Sequence, residues 1–421
     1  MNIDEALDSL MILKLMDSWE WSMKRLLLLG GSRYLLPIIE VAHKLGYYVI
    51  TCDYLPDNIA HKYSDEYCNV SIIDKDAVLE VAKALNIDGI LSFACDPGVI
   101  TAAYVAEKLG IPSAGPYESV CILQNKGKFR KFLSENGFNV PKAESYTSVE
   151  EALRDIKMFQ LPVIVKPIDS AGSKGVTKVD SVEALEKSIE YALSYSHTKE
   201  FIIEEFLEKI GNSSDADSFS VDGELKVISF SAQYFDENAV NPYVPAAFSW
   251  PSTISEKNQQ ELKNEVQRLL RLLNMNTTVY NIETRECKDG KAYIMECSPR
   301  GGGNRLAEML RYSAGIDLIT NAVLAAVGEP LLPIVPKVSD GYWAEIILHS
   351  NENGILDEVW ISDEIVNNVV EKDVWIDTGK EVKQLSGANE TIGTLILRFD
   401  TYESMKKVLD KPREYVKIIV K

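Results

Sequence analysis

The chain has 421 residues, enough for roughly two to four domains, with the 46% apolar and 25% charged balance of a globular protein. Lysine and arginine total 44 against 63 acids, and the net charge of −19 argues against a nucleic-acid track or an anionic membrane surface as the main partner. No apolar run reaches transmembrane length, residues 1–5 carry acid where a secretory signal carries base, and the expected location is cytoplasmic. Six dispersed cysteines and four histidines signal neither a disulfide framework nor a zinc site.

Residues 1–23 stand apart. Ile3, Ala6, Leu7, Leu10, Met11 and Leu13 recur at helical steps, which reads either as a partner-binding helix or as an extension ahead of a start at Met23. From Arg25 a βα rhythm begins, with strands expected at 26–29, 47–52 and 89–93 and helices running to Leu45 and Leu109. That alternation implies a parallel sheet covered on both faces, with ligands at the carboxyl ends of its strands. Those ends carry Gly30, Gly31, Ser32 and Arg33, then Asp53, then Cys95 and Asp96. Asp53 has the spacing of a nicotinamide dinucleotide site, but the second and third glycines of GxGxxG are missing, so the run reads as a plain or substrate-binding turn.

After Gln124, Lys126, Lys128, Arg130 and Lys131 form a local basic cluster on a helix that ends at Glu135, ahead of Gly137. Short strands and helices alternate from Pro141 to about Pro330. Beyond Pro336, strands are expected around 343–348, 359–361, 375 and 394–398, then a helix at 402–409 and a terminal strand at 415–420.

Within this order, three segments combine residue types that reactions on phosphates need. The strand 161–167 presents Lys166 at its end and runs into a loop with Ser170, Gly172, Ser173, Lys174 and Gly175. Small residues let backbone N–H groups approach phosphate oxygens while a fixed lysine neutralises them. The strand 200–205 ends in Glu204 and Glu205, followed by Phe206, Leu207 and Glu208. Those residues offer a nucleobase an acceptor for its exocyclic amine, a backbone edge and apolar walls. The third segment is a hairpin turned by Asp289-Gly290. Alternation puts Glu283 and Arg285 on one face of its first strand and Glu296, Ser298 and Arg300 on one face of its second, ahead of Gly301, Gly302, Gly303 and Asn304. Two acids suit Mg²⁺, and an adjacent guanidinium suits charge on a transferring phosphoryl group.

The order of these elements resembles the ATP-grasp superfamily, from residue 24 to the C-terminus. It is similar to the biotin carboxylase, carbamoyl-phosphate synthetase and phosphoribosylglycinamide synthetase branch and to its amino-acid ligases. The resemblance implies an α/β fold: an N-terminal parallel-sheet domain at 24–123, a two-part α+β ATP-grasp body at 124–330 with a mobile lid at about 142–203, and a C-terminal mixed α/β cap at 331–421. It also implies that Lys126 and Lys166 contact ATP phosphates under the 170–175 loop. Glu204 would accept the adenine amine, with the backbone of Glu205 and Leu207 completing the adenine edge. Glu283, Glu296 and Ser298 would hold Mg²⁺ or Mn²⁺, and Arg300 would grip the γ-phosphate. Gly31, Ser32, Arg33, Asp96, Arg300 and Asn304 would lie near the second substrate. Ser298 departs from the family, which usually has Asn there. The ribose-binding acid stays open among Glu208, Asp215 and Asp217.

The resemblance thus implies a Mg-dependent, ADP-forming carboxylate–amine ligase that works through an acyl-phosphate on small-molecule substrates, with a homodimer consistent with it. The rivals are a bicarbonate-using carboxylase of the biotin carboxylase or aminoimidazole ribotide type, a non-catalytic ATP-binding regulatory protein, and a nicotinamide oxidoreductase. Aromatic residues at 233–250 (Tyr234, Phe235, Tyr243, Phe248 and Trp250) read either as walls for the second substrate or as packing between domains.

Overall fold

Four short apolar runs build the N-terminal sheet. Arg25–Leu29 (β1), Tyr48–Cys52 (β2), Glu66–Cys68 (β3) and Gly89–Ser92 (β4) pair in parallel in the order β3-β2-β1-β4. This is the expected parallel sheet. The computed structural model describes residues 23–170, 172 and 174–421, so the expected N-terminal helix and Ser173 lie outside the described residues. Leu26 to Leu29 are fully buried because helices cover both faces. Leu26 and Leu28 pack with α1 (Leu36–Lys44), while Leu27 and Leu29 pack with α2 (Lys75–Leu85) and α3 (Asp96–Leu109). Gly30 closes β1 at φ 112°, a conformation that favours glycine, and so turns the chain sharply at the sheet's carboxyl edge.

Helices α4 (Tyr117–Gln124) and α5 (Lys126–Glu135) lead into an antiparallel sheet of Ala143–Tyr146 (β5), Val163–Pro167 (β6), Thr177–Val179 (β7) and Phe201–Glu205 (β8), ordered β5-β8-β6-β7. Tyr146, Val163, Val165, Phe201 and Ile203 close a core of their own against α6 (Val149–Asp155) and α7 (Leu185–Tyr195). This is the segment for which lid movement is expected. A second antiparallel sheet follows, formed by Ser214–Val221 (β9), Glu224–Ser229 (β10), Thr278–Glu286 (β13) and Ala292–Ser298 (β14) in the order β10-β9-β13-β14. Its core packs on α8 (Glu256–Leu272) through Leu262, Val266 and Leu269. Beyond β14 come α9 (Leu306–Ala314) and α10 (Leu318–Ala326), and α10 joins the core of the N-terminal sheet.

The third antiparallel sheet joins distant segments. Ala232–Phe235 (β11) and Pro245–Trp250 (β12) pair with Tyr342–His349 (β15), Thr391–Phe399 (β19) and Val369–Val374 (β17), ordered β11-β12-β15-β19-β17. Gly354–Ile361 (β16), Glu381–Val382 (β18) and Val416–Val420 (β20) form a small outer sheet beside α11 (Tyr402–Asp410). The strands and helix expected after Pro336 are therefore present, with the strand expected at residue 375 ending one residue earlier. Phe248 and Trp250 are buried with Leu306, Met309 and Trp343 between this sheet and α9, so these two aromatics take the packing role.

Candidate functional site

The register of the second sheet sets the site's geometry. Asp215 on β9, Glu283 on β13 and Glu296 on β14 lie directly opposite one another, and Asp217, Asn281 and Ser298 form the neighbouring row. Directly opposed residues share a face, so both rows open on one side of the sheet. A bulge at Met295 on β14 leaves Thr284 opposite Ile294. Asn281 Nδ2 donates to Asp215 Oδ1 at 2.6 Å and Asp217 Oδ1 at 3.1 Å, and Asp217 Oδ1 also accepts the Gly302 N–H at 2.9 Å. Burial, then the neighbouring carboxylates Asp217 and Glu283, push Asp215 up to about 8; burial alone pushes Asp217 up to about 7.

Glu283 and Glu296 are half-buried. Arg285 lies 3.0 Å from Glu283, and Lys126 lies 3.9 Å from Glu296 while donating to the Ser170 carbonyl at 3.0 Å. Among the described residues no group of three or more acidic, histidine or cysteine side chains could hold a metal ion by itself. Two facing carboxylates still fit Mg²⁺, which takes few protein ligands and fills its octahedron with water and phosphate oxygens. Ser298, expected in the metal set, stands in the neighbouring row. Its hydroxyl is 1% exposed, accepts from Gln124 Nε2 at 2.7 Å and donates to Asp96 Oδ1 at 3.0 Å. Both contacts turn it toward α3 and α4, where it orients Asp96.

Arg300, just after β14, meets Asp96 at the start of α3. Nε donates to Oδ1 at 2.9 Å and Nη2 to Oδ2 at 2.8 Å, a bidentate pair, while Nη1 donates to the Gly301 carbonyl at 2.9 Å. Burial raises the Asp96 carboxyl, but Arg300 outweighs it and holds the group below the ordinary carboxylate range. The glycines after Arg300 are required by close packing. A Cβ on Gly301 would stand 2.2 Å from the Phe93 ring, and one on Gly302 would stand 2.7 Å from Asp217 Oδ1.

Glu204, expected at the adenine, lies buried between two cations. Its carboxylate is 2% exposed and sits 2.9 Å from Arg130 Nε and 2.9 Å from Lys166 Nζ. Burial pushes it up, yet Arg130 and Lys166 prevail and hold it at about 2. Of its two oxygens Oε2 faces Lys166, while Oε1, ion-paired with Arg130, has no hydrogen-bond partner. Lys166 in turn is lowered by burial and by Arg130 and Lys126, against the opposing pull of Glu204. The Glu205 N–H, expected at the adenine edge, donates to the Lys142 carbonyl at 2.9 Å, and Phe206 N–H donates to the Pro162 carbonyl at 3.0 Å. Leu207 follows directly. Gly172 and Gly175 take φ values of 68° and 73° in the loop after β6, and Lys174 is exposed.

The substrate residues expected from the N-terminal domain gather at the carboxyl end of β1. Arg33 lies over the Trp375 ring at 5.1 Å, beside Gly31 and Ser32, and Tyr34 donates its hydroxyl to Asn304 Oδ1 at 3.0 Å. Sequence reasoning missed Gln124, Asn281, Tyr34 and the role of Arg130. Arg130 had a signal: it stands four residues after Lys126 on α5, on the same helical face.

Residues 159–308 match the family model of the ATP-grasp domain. The carbamoyl phosphate synthase large chain of Pseudothermotoga lettingae is 27% identical over 301 residues, covering 71% of this chain but 26% of that protein. The chain thus spans about a quarter of that relative's length. Phosphoribosylglycinamide synthetase from Anaerococcus prevotii superposes with a TM-score of 0.75 at 22% identity, covering 95% of this chain and 100% of that one. L-amino acid ligase from Bacillus licheniformis superposes with a TM-score of 0.78 at 19% identity, covering 96% and 100%. These solved structures share the fold. The resemblance drawn from the motifs is borne out, as is the α/β architecture. Among the described residues no helix is long and apolar enough to cross a membrane.

Proposed function

With an ATP-grasp domain at residues 159–308 as the premise, we propose that this chain is an ATP-dependent ligase that joins a small carboxylate to an amine and releases ADP and phosphate. The observation that carries this reading is the register that sets Glu283 opposite Glu296, with Lys126 beside Glu296 and Arg300 four residues after it, just past the end of β14. Glu283 and Glu296 would hold Mg²⁺, which when bound neutralises phosphate charge. Lys126 and Lys166 lie where they can face the triphosphate. Glu204 acts as a positioning residue that fixes Lys166 between the sheet and α5.

In the first step a carboxylate oxygen bonds to the γ-phosphorus while the bond to the β–γ bridging oxygen breaks, so ADP leaves. Arg300, oriented by Asp96, stabilises the charge on the transferring group. In the second step the amine nitrogen bonds to the acyl carbon, the carbon–oxygen bond to the phosphoryl group breaks, and the amine loses a proton as phosphate leaves. Such chemistry depends on positioning and charge neutralisation more than on a histidine relay.

The test is an ADP-release screen over amino acids, small carboxylates and bicarbonate, with and without amines. ADP release that requires both a carboxylate and an amine is expected. A strict bicarbonate requirement would mark a carboxylase, and ATP binding without turnover across the panel would mark a regulatory protein.

A further inference from the structure

A second buried charge cluster lies beyond Asn304, and the catalytic steps above do not use it. Glu345 sits mid-strand on β15, opposite Phe248 of β12 and Ile396 of β19, on the face that α9 covers. It is 0% exposed, and neither carboxylate oxygen has a hydrogen-bond partner. The nearby cation is Arg305, at the start of α9, whose donors are committed elsewhere. Nε donates to Glu308 Oε1 at 3.0 Å, Nη2 lies 2.9 Å from Glu308 and 2.7 Å from Glu371, and Nη1 donates to Thr394 Oγ1 at 3.2 Å. Three carboxylates therefore lie around one guanidinium, with Arg311 also within electrostatic reach of Glu308 and the Tyr312 hydroxyl donating to Glu371 at 2.7 Å. Glu345 is within electrostatic reach of all three of its charged neighbours and of Tyr34, which burial and then Glu345 push up to about 12.

This arrangement is held in place at a cost. Asn304 and Arg305 are consecutive non-glycine residues with φ of 50° and 59°. Backbone in that region is retained where surrounding structure demands it, and often at ligand sites. Here it directs Asn304 to Tyr34 and Arg305 into the carboxylates. A structural buried carboxylate is normally paired. Protonating Glu345 would still leave both its oxygens without partners.

We propose that this cluster binds the positively charged end of the amine substrate, an alkylammonium group, with Glu345 as its main carboxylate and Glu308 and Glu371 adding to the field. An ammonium supplies the charge and the three N–H donors that Arg305 withholds from Glu345; it passes one proton to the Glu345 carboxylate so that the neutral nitrogen can attack the acyl carbon, and the second proton is lost as phosphate leaves. The cluster also adjoins Asn304 through Tyr34, next to Arg33 in the chain. The inference rests on the ligase reading for its place in the reaction, but the binding can be measured without turnover.

Propylammonium chloride and propan-1-ol are titrated calorimetrically, at constant ionic strength, into the full chain and its Glu345→Gln and Glu371→Gln variants. Wild type is expected to bind propylammonium saturably and in preference to propanol, with binding weakened roughly tenfold to a hundredfold by E345Q and less by E371Q. Glu371 is on edge strand β17, so E371Q carries the test should E345Q not fold. Equal binding by wild type and a folded variant overturns the proposal, as does absence of saturable binding to wild type. In turnover, E345Q is expected to lower the ratio of product from cationic amines to hydroxamate from hydroxylamine, a neutral nucleophile; an unmoved ratio overturns the assignment. A wild type that releases no ADP with any carboxylate removes the ligase reading, while the calorimetry still decides the site.

Discussion

Glu204 and Glu345 are the same residue type in two strands, both buried, and their surroundings are unbalanced in opposite directions. Glu204 has two cations against it, Arg130 and Lys166, with Lys126 nearby. Glu345 has one cation at a distance, and that cation already serves Glu308 and Glu371. The first is a carboxylate stabilised in its charged form, left amid surplus positive charge. The second belongs to a pocket of surplus negative charge. A chain with net charge −19 thus gathers cations where a triphosphate is expected and anions where an amine is expected. The average charge describes the surface; these two clusters describe what the interior can attract.

The largest expected effect tests whether the cationic side does chemistry at all. Glu296→Gln or Arg300→Ala should lower ADP release about a hundredfold to a thousandfold, measured with a coupled ADP assay. Undiminished turnover in either variant would sink the ligase assignment. Next, Arg130→Met should destabilise the fold by about 3 kcal/mol in urea unfolding, because it strips a buried carboxylate of one of two partners. An unchanged midpoint would mean that Lys166 alone satisfies Glu204.

The comparison is sharpest when one change is made at both sites. Glu204→Gln should destabilise, whereas Glu345→Gln should be neutral or stabilise by about 1 kcal/mol at neutral pH. Their pH dependences should differ in sign. The folded pKa of Glu204 is depressed, so its contribution is present above the unfolded value of about 4.3 and is lost as pH falls toward about 2. Glu345 is raised well above the ordinary value by burial, so its contribution is full below about 4.3 and is lost as pH rises. Unfolding curves of the two variants against wild type from acid to neutral pH should diverge in opposite directions. Parallel curves would mean that the two sites are electrostatically alike.

Much of this architecture was legible in the sequence because burial writes periodicity. The run of four leucines in β1, the alternation around Glu283 and Glu296, and the Asp289-Gly290 turn each follow from local rules, and the register then places the two acids together. What remained hidden depends on contacts between distant segments. Nothing local in Asp96 says that Arg300 will grip it across 204 residues. Nothing in 232–250 says that these strands join those after residue 340. The Arg130 partner of Glu204 was hidden because it stands on α5, far away in sequence. Glu345 did leave a trace, as a lone acid within the apolar run Trp343-Ala344-Glu345-Ile346-Ile347-Leu348, but a trace of burial does not reveal how many cations stand opposite.

The smallest effect separates two roles for Ser298. As a metal ligand it would lose activity at limiting Mg²⁺ when changed to alanine, and excess Mg²⁺ would restore the loss. As the structure places it, Ser298 bridges Gln124 and Asp96. Ser298→Ala should therefore cost about 1 kcal/mol of stability, the worth of a buried hydrogen bond, and leave the half-saturating Mg²⁺ concentration unmoved. Asp96 keeps both bonds from Arg300 in that variant, so the guanidinium stays oriented and ADP release should fall only a few-fold, by about the same factor at low and high Mg²⁺. A Mg²⁺ requirement that rises in S298A would return the hydroxyl to the metal and show that the bridge rearranges when nucleotide binds.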